Sequence, residues 1–460
     1  MPVDSKHKEY PAYAEKVGVV DDFIDVDEVK AKKAVYLPKT ITVANDENDA
    51  KEAGINFDPY QLYIDHAHVS SIVFNTLVES IGFAFKEPPK IELPKKLEHL
   101  LAHADGKGNS LITVFQNIVE TILKQKRCAI ASDWDNDSKE SKISLYSGLS
   151  LINWDMLENP KFLMLQEQYV KDSSDIYDIE YATQLKELRI TEGKLEIKEH
   201  RQIDDGGAWA EVGDTAQMML AKKESFDFIP VQIADISEIP LYPQTREVLA
   251  AYRWSASHGN ALHYLGEPQQ VQEGDEPSNQ EKKGSSWTLF VEKGGKIYYL
   301  ELNPEAMEPL RKKIEDHLKA AADMGVKLIT DTSHQQSGES LYIQSKHRQS
   351  NLISVVREAG TKLEAALRVC AKIEGVEPEE VIFEPDLDFI KKPVDTAKLD
   401  HLSKSVKEGS GLVALYAQAL RDAGWSVLSD EEYATALLKQ KTDDEARIAA
   451  SVNSSIDATH

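Results

Sequence analysis

Two helical stretches divided by a polar loop constrain this chain more than any other feature. Between Gln280 and Gly375, a strand-like segment Ser286-Trp-Thr-Leu-Phe-Val-Glu is followed by Lys296-Ile-Tyr-Tyr-Leu-Glu-Leu. A helix comes next, then the loop Asp331-Thr-Ser-His-Gln-Gln-Ser-Gly, then a longer helix. Asn303-Pro304 offers a cap and a first-turn proline, but Pro309 would remove a hydrogen bond from a helix begun there. Regular helix is therefore expected from Glu308-Pro309. Leu310, Ile314, Leu318 and Ala321 give it one narrow apolar stripe, and Gly325 reads as its C-terminal stop. The second helix can start anywhere from Ser337 to Ser340 and end at Glu374, before Gly375. Its stripe is Leu352, Val356, Ala359, Leu363, Ala366, Cys370 and Ile373. At up to about 36 residues it would reach roughly 54 Å, far beyond the usual helix. Lys346, His347 and Arg348 cluster near its start. Such rods around a loop suit a subunit that packs beside copies of itself.

The rest of the chain is mixed α and β. Residues 1 to about 35 are polar and charge-dense and read as an arm that gains order only by docking. Residues 59–84 read as one helix, with Asp58-Pro59 as cap and first-turn proline. A second helix is expected from Ser110 to Gln125. Strand candidates follow at Arg127–Ser132, Leu149–Trp154, Phe162–Val170, Tyr181–Ile190, Lys194–Lys198 and Phe228–Ile233, with Glu192-Gly193 closing a hairpin. Residues 244–264 read as a helix, 267–285 as a mobile loop, Val381–Phe383 as a strand, and 397–424 and 430–450 as helices.

Charge narrows the function classes. The chain carries 53 Lys+Arg against 78 Asp+Glu, a formal net of −25. Tight nonspecific DNA binding needs cations that replace counterions, so this chain could surround DNA but not grip it. Cys128 and Cys370 sit in apolar patterns and read as reduced core residues. No apolar run reaches the roughly 18 residues of a membrane span, and the first residues lack a signal-peptide core, so a soluble product made in the cytoplasm is expected.

Motifs that would carry chemistry fail on inspection. Asp133-Trp-Asp-Asn-Asp137 opens like a calcium loop, but Ser138 stands where glycine is needed and Ser144 where a bidentate glutamate is needed. His66 and His68 would point about 200° apart on a helix. His99 and His103 would share a helix face, without a third ligand. Gly106-Lys-Gly-Asn-Ser110 lacks the rest of a phosphate loop and reads as a helix cap. Gly148-Leu-Ser150 lacks the second glycine of a nucleophile elbow, since Ile152 takes its place. No catalytic residue, cofactor or metal site is assigned.

The order of the segments resembles the portal proteins of tailed bacteriophages, in particular a portal-like family long catalogued as a domain of unknown function. The resembling pieces include Tyr36-Leu-Pro-Lys39, His66-Ala-His-Val-Ser-Ser-Ile-Val-Phe-Asn75, Leu151-Ile-Asn-Trp154, Ile229-Pro-Val231, Gly266-Glu-Pro268, Tyr299-Leu-Glu301, Met324-Gly325 and Asp386-Leu-Asp-Phe389. They spread over roughly residues 36 to 390.

The resemblance implies an α+β portal fold. Residues 1–35 would be an N-terminal arm and 36–243 the first part of a wing. Helices in 244–264 and 303–325 would form a stem, with a clip at 265–302. A tunnel loop would span 326–340, a wing helix and strand 341–396, and a helical crown and tail 397–460. It also implies a ring, a dodecamer, at one capsid vertex of the virion. The implied partners are the major capsid protein, the terminase large subunit, head–tail adaptor or tail proteins, and double-stranded DNA in the channel. Lys327, Ser333, His334, Gln335, Gln336, Lys346, His347 and Arg348 would face that DNA. Two other readings stay open: a phage-associated metal-dependent nuclease using the acidic 133–137 loop, and a monomeric helical adaptor.

Overall fold

The computed structural model describes residues 2–266 apart from 53, 55, 136–137, 172–179, 203–206 and 217–224, then 271–273, 289–291, 307–329, 350–387, 401–404 and 435. Two compact units divide the chain. One comprises Met1–Thr330 with Gln349–Leu387, and the other Asp331–Arg348 with Asp388–His460. In the second, residues 401–404 and Thr435 are helical.

The N-terminal residues are a packed layer of the first unit. Helix α1 (Tyr10–Ile24) buries Tyr13, Val17, Val20 and Phe23, spaced four, three and three residues apart on one face. Tyr10 and Tyr13 donate hydroxyl bonds to the carbonyls of Leu149 (2.8 Å) and Gln125 (2.7 Å), so the arm docks on its own chain. After α2 (Val26–Ala31), Tyr36 donates its hydroxyl to the buried carboxylate of Asp22, which Lys32 also holds at 2.6 Å.

After α3 (Ile41–Glu52), the single helix expected over 59–84 is two helices, α4 (Pro59–His66) and α5 (Ile72–Ala84). Asp58 caps α4 as expected, accepting from Gln61 N at 2.9 Å. The break has a tertiary cause. Ala67 turns extended, and the His68 N–H goes to the Ser255 hydroxyl at 2.8 Å, where a continuous helix would keep it. A short strand, β1 (Lys90–Glu92), and a 3-10 turn (Lys95–Leu101) lead to α6 (Leu111–Gln125). Ser110 caps α6 through the Thr113 N–H, and Asp105 holds the preceding turn together by accepting from Lys107 N, Asn109 N and Asn109 Nδ2.

Two antiparallel sheets follow. The first has the order β3 (Glu140–Ser147), β2 (Arg127–Asp135), β9 (Val231–Asp235). The second is a meander of β4 (Leu151–Trp154), β5 (Phe162–Val170), β6 (Tyr181–Thr191), β7 (Lys194–Gln202) and β8 (Trp209–Ala216). β3 and β8 are additions to the sequence reading. Glu192 and Gly193 both take positive φ in the tight turn between β6 and β7, where glycine relieves strain. Ala129, Leu151, Leu163, Leu188, Val231 and Ile233 from these sheets share one core with Val369 and Ile373.

The last two residues belong to α9 (Ser350–Glu374), which follows α7 (Tyr242–Gly266) and α8 (Glu308–Ile329). Ser132 on central strand β2 donates to the Ala366 carbonyl at 2.8 Å and ties sheet to helix. Any start of α9 before Ser350 lies outside the described residues, while Gly375 ends it with φ +69° as expected. Inside α9, Gly360 allows Pro385 to approach: a Cβ there would lie 2.7 Å from its ring. The adjoining β12 (Ile382–Glu384) pairs with β1.

Two expectations are corrected. Gly325 is not a helix stop: α8 continues to Ile329, so residues 326–329, including Lys327, are helical rather than loop. The mobile loop expected over 267–285 contains a strand, β10 (Val271–Glu273), paired in parallel with β11 (Leu289–Val291). The segment 292–306, most of the expected C-terminal helices, and Asp388-Phe389 of the Asp386-Leu-Asp-Phe motif lie outside the described residues.

The paired helices as the candidate functional site

α7 and α8 form an antiparallel pair, and their register can be read from the polar bonds between them. Gln244 at the start of α7 donates to the Ala321 carbonyl late in α8 at 3.0 Å. Glu247, one turn on, meets His317 one turn back, with Glu247 Oε2 and His317 Nδ1 2.8 Å apart. At about 1.5 Å per residue the helices are roughly 37 and 33 Å long.

A three-helix junction fixes this pair to the body of its unit. Gln244 is buried, and its amide also donates to Thr76 Oγ1 of α5 at 2.8 Å. Both polar groups press on Gly325: a Cβ there would overlap Gln244 Nε2 and Thr76 Oγ1. This packing, and not a helix end, is why glycine stands at position 325. Lower on α7, Arg253 Nε donates to the Tyr36 carbonyl at 2.8 Å, and Ser255 accepts the His68 N–H. The motif Tyr36-Leu-Pro-Lys39 thus lies between α1 and α7. Tyr36 reaches Asp22, while Tyr60 of α4 donates to the Leu37 carbonyl at 2.8 Å.

The outward face of α8 is balanced in charge. Arg311, Lys312, Lys313 and Lys319 are exposed alongside Glu308, Glu315, Asp316 and Asp323. Arg311 bridges Glu308 at 2.5 Å and Glu315 at 2.9 Å, and the Glu308 carboxyl is lowered chiefly by its bond to Arg311. These pairs are solvated and add little stability. Their consequence is local neutrality on a chain of −25.

Of the residues expected to face DNA, Lys327 stands in the last turn of α8. Ser333, His334, Gln335, Gln336, Lys346, His347 and Arg348 lie outside the described residues. Gln244, Thr76, Glu247 and His317 escaped sequence reasoning, because nothing local marks a glutamine or threonine as a helix-junction residue.

The rejected chemical motifs take structural places. Asp133 and Asp135 belong to β2, where Lys186 and Lys142 come within 3.7 Å of their respective carboxylates. The ring nitrogens of His99 lie 2.9 Å from the Lys96 carbonyl and 2.8 Å from that of Ser141, on a 3-10 turn and not the helix expected. Burial pushes the Cys370 thiol up to about 12 and raises that of Cys128 further, so both are inert core groups. Among the described residues no three His, Cys, Asp or Glu converge as a metal cluster, and no helix is long and apolar enough to cross a membrane.

A family model described as "Domain of unknown function (DUF4055)" matches residues 247–373, from the first turns of α7 to the end of α9. Among solved structures, a chain from the neck of an empty GTA particle, computed with C6 symmetry, is 12% identical. That alignment covers 74% of this chain and 86% of that one, with a TM-score of 0.34. A chain from the virion of the native gene transfer agent (GTA) particle is 11% identical over 77% and 90%, with a TM-score of 0.31. No curated protein matches the chain.

Proposed function

We propose that this chain is a portal subunit: a structural component of a tailed-phage-type particle that assembles as a ring at one capsid vertex. The ring would pass double-stranded DNA during packaging and ejection. It would dock the terminase motor and, later, head–tail connector proteins, within a shell of major capsid protein. The observation that carries this reading is the anchored antiparallel pair of α7 and α8. It stands where the portal resemblance calls for two stem helices, and the segment matched by the family model begins in one of them and runs through the other.

Electrostatics support a conduit over a binder or a catalyst. A ring of chains at −25 each repels the phosphate backbone, so DNA can move without adhering. The balanced face of α8 neither adds to that repulsion nor grips phosphates. The few cations proposed to touch DNA transiently are Lys327 in the last turn of α8 and Lys346, His347 and Arg348. Ser333, His334, Gln335 and Gln336 would supply the neutral polar surface of the tunnel loop. In this reading the chain has no catalytic site of its own, and the carboxylates of Asp133 and Asp135 are matched by lysines.

Sedimentation of the purified protein over a range of salt tests the reading. A dodecamer of 51.5 kDa chains has a mass of about 620 kDa. A discrete closed species near that mass is expected. A 51.5 kDa monomer at every salt concentration would exclude the portal role and favour the adaptor.

A further inference from the structure

The helices α4 and α7 approach closely where His66 ends the first of them. A Cβ on Gly259 would lie 2.8 Å from the His66 carbonyl oxygen, so glycine is required there. The approach sets the His66 imidazole against His263 of α7, with ring centroids 5.1 Å apart and planes inclined by 44°. His66 Nδ1 is buried without a hydrogen-bond partner. A buried polar nitrogen left unpaired is destabilising and calls for an explanation.

We propose that His66 and His263 form a two-histidine site for a borderline divalent transition-metal cation such as Zn²⁺, which staples α4 to α7. Metal–imidazole bonds are about 2.0–2.1 Å, and the ring centre lies about 1.1 Å behind the nitrogen. A tetrahedral angle at the metal then separates the two centroids by about 5.2 Å. The rings stand at 5.1 Å, close to that separation. The neutral imidazole is the form that ligates. Nitrogen donors select Zn²⁺, Cu²⁺ or Ni²⁺ over Ca²⁺ and Mg²⁺, which want oxygen. Both side chains are only partly buried, so water can complete the coordination. The site is therefore open, unlike a four-ligand structural centre, and the inference does not depend on the portal reading.

Calorimetric titration of Zn²⁺ into the full chain tests it, with Cu²⁺ electron paramagnetic resonance as an independent readout. One Zn²⁺-binding event is expected that His66→Gln and His263→Gln each weaken on the order of tenfold or more, while His103→Gln leaves it unchanged. The Cu²⁺ spectrum should show two nitrogen ligands in the wild type and one in either variant. Thermal stability should rise with Zn²⁺ concentration in the wild type alone. Equal Zn²⁺ affinity in the wild type and both variants, no Zn²⁺ binding at all, or a wild-type Cu²⁺ spectrum without two nitrogens would overturn the proposal.

Discussion

Gly325→Ala should destabilise this protein, although alanine is the better helix former. In a solvated helix interior the change would stabilise by about 1 kcal/mol. At Gly325 the added methyl overlaps the Gln244 amide and the Thr76 hydroxyl, both buried between α5, α7 and α8. Overpacking of this kind costs about 1–3 kcal/mol. Moving Gln244 aside also loses its bonds to Thr76 (2.8 Å) and the Ala321 carbonyl (3.0 Å), each worth about 1 kcal/mol. Set against the gain in propensity, the net loss is about 2–4 kcal/mol. Urea unfolding followed by circular dichroism measures it. Gly82→Ala, in α5 with open space around it, is the control and should be neutral or stabilising by up to about 1 kcal/mol. In a Thr76→Ala, Gln244→Ala background the penalty at position 325 should largely vanish, because the clash partners are gone. A Gly325→Ala protein as stable as the wild type would refute the junction as the reason for the glycine.

Three further outcomes are expected. Gly360→Ala drives a methyl to 2.7 Å from Pro385, an overpacking of about 1–3 kcal/mol that the gain in helix propensity offsets by about 1 kcal/mol, so a net loss of up to about 2 kcal/mol is expected, read as a lower urea midpoint. Burial raises the Asp105 carboxyl, but bonds from the Asn109 side chain and the Lys107 and Asn109 amides outweigh it and hold the carboxyl below its ordinary value. A lowered carboxyl stabilises the fold above its unfolded pKa of about 3.9 and loses that contribution as pH falls through the folded value. The stability gap between wild type and Asp105→Ala should therefore be full at neutral pH and close below about pH 4; a gap that stays constant contradicts the turn geometry. Replacing Lys346, His347 and Arg348 together with alanine should reduce DNA packaging while leaving oligomer mass unchanged, as packaging assays and sedimentation would show; normal packaging removes these residues from the DNA path.

What could be read from the sequence was what local chemistry decides. Asp58 and Ser110 cap helices because a side-chain oxygen reaches an amide three residues on. Gly193 turns a hairpin and Gly375 ends a helix because both need positive φ. What could not be read depends on distant partners. The break between α4 and α5 is set by Ser255, which is 187 residues beyond His68. Gly325 looked like a stop, because a glycine that makes room for Gln244 and Thr76 has the same one-letter signature as one that ends a helix. The docking of α1 was partly legible in Tyr13, Val17 and Val20, but the acidic run from Asp21 to Glu28 masked it. Of the candidate site, the sequence located both helices and the start of α8 at Glu308, yet not the bonds that join them.

Electron microscopy of the purified protein tests the central claim most directly. A portal subunit should appear as closed rings with a central hole wide enough for duplex DNA, whatever the exact subunit number. Uniform monomers under all salt conditions, with no rings, would contradict it.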